Sequence, residues 1–140
     1  MANKVRSIKR EQAKAEAKEA EITTMLADLF HSQLALRTLG QQPMPSRLAF
    51  KLVKTIKAVT AEMVATEETR IKLLDQYGKK NEKTGDYRLT KPNEEKFVSE
   101  FNDFLKTTEV TIKGEKVDIE GLPGLVISAT DVMLLSWLWE

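Results

Sequence analysis

The chain has 140 residues, of which 41% are apolar and 31% charged, with a formal net charge of +1 and no cysteine. That length predicts one domain with one real core, and the charge content suits an elongated, helix-rich shape with much surface. The lack of cysteine excludes disulfides, thiol catalysis and cysteine-held metal and fits a reducing compartment.

No apolar run approaches the roughly 18–20 residues of a membrane span, so no membrane partner is expected. The basic start has no apolar stretch behind it, unlike a secretory signal, which points to the cytoplasm. The net charge conceals a split. Residues 1–90 carry 17 Lys and Arg against 11 Asp and Glu, and residues 91–140 carry 5 against 10. Such polarity steers an acidic partner to one end or favours head-to-tail contact between copies.

Residues 3–38 contain neither Gly nor Pro and predict a first long helix. Its first half is a basic, Ala-rich arm, with Lys4, Arg6, Lys9, Arg10, Lys14 and Lys18 against Glu11, Glu16 and Glu19. The arm reads in three ways: a solvated helix face, a protein-docking segment, or a non-specific phosphate contact without aromatic residues for stacking. The second half carries an apolar face, Ile22, Met25, Leu26, Leu29, Phe30, Leu34 and Leu36, at steps of three and four.

Gly40 suits a helix end, Pro43 and Pro45 stop continuation, and Ser46 suits the N-cap of a second helix from about Arg47 to Tyr77. Its apolar positions include Leu52, Val53, Ile56, Val59, Met63, Val64, Ile71 and Leu74, and the stripe thins near Thr66–Arg70. Gly78 ends it, and residues 79–92 are polar and turn-rich, with a turn at Gly85-Asp86. A third helix over about 94–106 buries Phe97, Phe101, Phe104 and Leu105.

Val110-Thr111-Ile112 and Val117-Asp118-Ile119 flank Gly114-Glu115, a pair that suits the tight turn of a β-hairpin. That register sets Ile112 opposite Val117 and Val110 opposite Ile119. Ser128-Ala129-Thr130-Asp131 reads as a capping box opening a final apolar helix that ends in Trp137-Leu138-Trp139. Two tryptophans two residues apart on a helix point about 200° apart. One ring is therefore expected in the core and the other on a partner surface.

The pattern predicts an α+β, mainly α fold. Its parts are a long antiparallel helical hairpin, a third helix, a small β-hairpin and a short C-terminal helix. Residues 1–20 form the basic arm and residues 21–140 a single domain. No catalytic constellation is legible. His31 is the only histidine, beside Phe30, and reads as structural or surface. The carboxylates are explained locally at helix starts and surfaces, and no phosphate-cradling or nucleophile-elbow motif occurs. No cofactor, metal or small-molecule substrate is implied.

Met44-Pro45-Ser46-Arg47-Leu48-Ala49-Phe50-Lys51-Leu52-Val53-Lys54 opens a pattern that continues through Glu68, Arg70, Leu73, Leu74 and Tyr77-Gly78. It resumes at Phe97, Glu100, Phe101, Leu105, Val110 and Ile112, and closes with Ile127-Ser128 and Asp131-Val132-Met133. This resembles a family of short proteins of unknown function encoded in tailed-phage and prophage genomes, over about residues 30–135. Ser46 stands where that family often has Ala, and the basic arm is not a family feature. The resemblance implies a phage virion or assembly component and carries over no catalytic residue.

The expectation is a non-enzymatic phage structural or assembly protein. It would dock on other virion proteins or on itself through helix faces, in the host cytoplasm during synthesis and then in the virion. A nucleic-acid-contacting or regulatory phage protein using the basic arm is the second reading, and a small inhibitor of a host protein the third. The expected contact residues are Lys4, Arg6, Lys9, Arg10, Trp137 and Trp139.

Overall fold

The long helix anticipated after Pro45 forms as Ser46–Tyr77, 32 residues in the computed structural model, which describes residues 20–140. At 1.5 Å per residue it is about 48 Å long. Before it come a strand β1 (Glu21–Met25) and two short helices, α1 (Leu26–His31) and α2 (Gln33–Gly40); Ser46–Tyr77 is α3. After it come a two-residue pair β2 (Lys79–Lys80) and β3 (Tyr87–Arg88), helix α4 (Lys91–Thr107), strand β4 (Glu109–Lys113) and helix α5 (Ala129–Leu134). The fold is α+β and mainly α.

The first expected helix is not continuous. Glu21–Met25 is a strand because Ile22, Thr23 and Thr24 are β-branched in succession, which favours extended backbone. It pairs antiparallel with β4, placing Ile22 opposite Ile112 and Thr23 opposite Thr111. Both isoleucines are buried, and the two threonine hydroxyls bond at 2.9 Å. The ladder continues one residue further, where the Leu26 N–H donates to the Thr108 carbonyl. At Ser32 the chain breaks again, with φ −100° and ψ 4°, separating α1 from α2.

The hairpin expected at Gly114-Glu115 does not form. The partner of Val110–Ile112 is β1, and Val117 bridges in parallel to Trp139. The Val117 N–H donates to the Leu138 carbonyl, and the Glu140 N–H donates back to the Val117 carbonyl. Ile119 enters a short 3₁₀ turn, Ile119–Gly121, held by the Asp118 carboxylate, which accepts from the Glu120 N–H. The small β-hairpin of this fold lies instead at β2–β3, in the segment read as polar loop, with the Gly85 turn between its strands.

Helix ends follow their chemistry with one exception. Thr90 caps α4, with Pro92 in the first turn, and Ser128 caps α5 by accepting from the Asp131 N–H. Pro45, not Ser46, occupies the N-cap of α3, and among the described residues no side chain caps that end.

The main cluster gathers Leu29, Leu36, Leu39, Leu52, Val59, Ile112, Val117, Leu135, Trp137 and Leu138 among its members. A second cluster joins Leu26 to Phe101 and Leu105. Met63 and Val110 pack against both, so the two are continuous. α4 lies along the second half of α3. The thinning at Thr66–Arg70 is therefore not a loose end: Thr66 is buried, and its hydroxyl donates to the Glu62 carbonyl at 2.8 Å. The long helix packs against α2 and β4 near its start and against α4 beyond.

Candidate functional site

A groove of about 430 Å³ opens between the first turns of α3 and the end of β4. Arg47, Phe50, Lys51, Lys54 and Lys57 line it from the helix, and Lys113, Gly114 and Glu115 from the strand side. The helical spacing explains the first set. At about 100° per residue, positions 47, 50, 51, 54 and 57 fall on one face, opposite the buried Leu52, Thr55 and Val59.

Gly114 sets the floor. A Cβ on it would stand 2.6 Å from the Thr55 hydroxyl oxygen, closer than side chains tolerate. The missing side chain lets β4 press against α3, and the Gly114 N–H donates to the Ala20 carbonyl at 2.9 Å. Ala20 lines the same groove, so the chain between residue 19 and β1 enters at its edge. Gly114 serves close approach rather than a left-handed turn, since only Gly85 and Gly124 have positive φ.

The groove is strongly cationic. Arg47, Lys51, Lys54, Lys57 and Lys113 face one carboxylate, Glu115, which pairs with the Lys51 ammonium at 2.8 Å. Both partners are near half exposed, so the pair contributes at most about 1 kcal/mol and serves to position Lys51. The Lys54 ammonium lies 4.9 Å from the centre of the Phe50 ring, a cation–π contact. Phe50 is nevertheless 63% exposed. The ring thus stands in water amid four lysines and an arginine.

A second surface runs beside it. Val53, Val64 and Ile71 are also exposed and lie within about 60° of Phe50 around the helix. Val53, Val64 and Ile71 belong to the stripe expected to pack inside, so the apolar face of α3 is wider than the core that covers it. Leu34, also expected in the core, is 72% exposed on α2.

The far end of α3 is tied down by polar contacts. The Tyr77 hydroxyl donates to Glu100 of α4, and the Tyr87 hydroxyl to Asp75 of α3. Each carboxylate stabilises the neutral phenol, so both tyrosines ionise above the ordinary value. Arg70 bonds Glu67 one turn back at 2.5 Å, which lowers the Glu67 carboxyl below its usual range.

The expected contact residues divide. Lys4, Arg6, Lys9 and Arg10 lie outside the described residues. Trp137 is buried, and its indole N–H donates to the Ser32 hydroxyl at 2.9 Å. Trp139 is half-buried against the main cluster and donates to the Val132 carbonyl at 2.8 Å. The final helix ends at Leu134, so the two rings follow turn and bridge geometry rather than helical spacing. Arg47, Lys51, Lys54 and Lys57 are not among the expected contact residues, although their steps of four, three and three are visible in the sequence. Lys113 joins them only through tertiary packing. His31 is exposed, edge-on to Phe30 with ring centres 5.5 Å apart. Among the described residues no group of His, Asp and Glu is placed to hold a metal ion, and no helix is long and apolar enough to cross a membrane.

No protein-family model, curated protein or solved structure matches this chain.

Proposed function

We propose that this is a non-enzymatic docking protein, a structural or assembly component of a tailed phage. It seats the outer face of its long helix on other virion proteins or on a copy of itself. The supporting observation is the line of exposed apolar side chains along α3 beside the groove, namely Val53, Val64 and Ile71. Apolar area of this kind on a stiff helix gains free energy when a partner covers it, and Val53, Val64 and Ile71 recur at steps of eleven and seven, which return to one helix face as helix-in-groove anchors do. The phage assignment draws on the resemblance carried by Met44–Lys54 and Tyr77-Gly78. The test is mass spectrometry of purified virions, which should contain the protein in a fixed copy number. Its absence from virions and from assembly intermediates would remove the phage part of the proposal.

A further inference from the structure

The groove beside that face carries a separate assignment. We propose that Arg47, Phe50, Lys54, Lys57 and Lys113 form a binding site for single-stranded nucleic acid. It is distinct from the apolar docking surface and not confined to the N-terminal arm.

Three observations converge on it. First, five cations meet one carboxylate, and that carboxylate is already engaged by Lys51. The excess positive charge calls for a ligand with several negative charges. Second, Arg47 to Lys57 spans about 15 Å along the helix, so the cations recur roughly every 5 Å, as a row suited to a polyphosphate backbone. Third, Phe50 stands within this row and is 63% exposed, with Lys54 held against its ring. Phosphates account for the cations but not for the ring. A base stacked on the ring accounts for both, and it requires an unpaired base with a free π-face. A duplex hides those faces, and a run of carboxylates offers none. Ala20 at the groove edge adds the direction of approach. The sequence before it, residues 1–19, carries six Lys and Arg against three Glu.

The experiment uses the full chain and a short fluorescein-labelled oligothymidylate, with binding followed by anisotropy across a salt series. Four cations without an ion-pair partner among the described residues predict a slope of log K against log[salt] of roughly −3 from the groove alone, at about −0.7 per phosphate. The double variant K54Q/K57Q should flatten the slope by about 1.4. F50A should weaken binding about tenfold and leave the slope unchanged. All three side chains are exposed, and far-UV circular dichroism of the variants should match the parent.

The same flattening should persist in a K9Q/R10Q background. Binding abolished by the arm substitutions but indifferent to K54Q/K57Q would overturn the assignment. So would an F50A protein of parental affinity, or tighter binding to the matching duplex. Displacement of the oligonucleotide by polyglutamate at equal charge would reassign the groove to an acidic protein. None of these results bears on virion content or on association through Val64 and Ile71, so the two proposals fail independently.

Discussion

The indole nitrogen of Trp137 donates to the hydroxyl of Ser32 across 105 positions of sequence. Ser32 is fully buried, and its hydroxyl donates onward to the Leu29 carbonyl at 3.2 Å. One small polar residue therefore interrupts the helical run 26–40 and anchors the C-terminal segment. In S32A the buried indole N–H loses its acceptor. Chemical denaturation should show a loss of about 1–3 kcal/mol. A parental midpoint in S32A would mean that the bond contributes nothing to stability.

Gly114 against Thr55 gives a second test. G114A places a methyl 2.6 Å from the Thr55 hydroxyl oxygen and 3.1 Å from its methyl carbon. Overpacking of this kind costs roughly 1–3 kcal/mol. Thr55→Ala removes both clashing atoms, so the double variant should recover part of the loss and break additivity. Strict additivity of the two single changes in thermal melts would refute the close contact.

The tyrosines report the far end of α3. Ultraviolet titration should show Tyr77 and Tyr87 ionising above the ordinary value of 10.0 because Glu100 and Asp75 favour the neutral phenols. The sign for stability follows from the raised folded value. The contribution is present in full below the unfolded pKa and is lost as pH rises through the folded one. E100Q should bring the Tyr77 transition down while leaving Tyr87 in place. A single unshifted transition for both residues would contradict these contacts.

The outer face of α3 separates folding from association. V64D/I71D changes two exposed positions and should alter stability by no more than about 0.5 kcal/mol per site. Sedimentation velocity or partner capture should nevertheless register weakened association, since two buried charges in a docked face are costly. Unchanged association at unchanged stability would move the docking surface elsewhere.

The elements with strong local signals were legible. α3 follows from the absence of Gly and Pro between Pro45 and Gly78, α4 from the apolar steps Phe97, Phe101, Phe104 and Leu105, and α5 from its cap Ser128. What sequence could not fix was choice of partner. Ile112 reads equally well opposite Val117 or opposite Ile22, and only packing on α3 decides for Ile22. The continuous Gly- and Pro-free run 3–38 hid β1, because helix-compatible residues also accept a strand when a neighbouring edge is offered. The groove was half visible: four of its cations share one helical face, while Lys113 and Glu115 arrive through β4. The exposed Val53, Val64 and Ile71 matched a core pattern that a single-chain reading cannot tell from an interface pattern.

The β1–β4 pairing has a consequence for synthesis. Thr23 and Thr111 are 88 positions apart, so β1 has no edge to join until β4 has left the ribosome. α3 forms from local contacts long before that. Trp137 reaches Ser32, and the Glu140 N–H reaches Val117, only after residues 137–140 have left the ribosome as well. During elongation the nascent chain therefore carries its stiff helix with its inner apolar side uncovered. Closure waits on residues 137–140, and a stop codon before Trp137 would leave the core permanently unsealed.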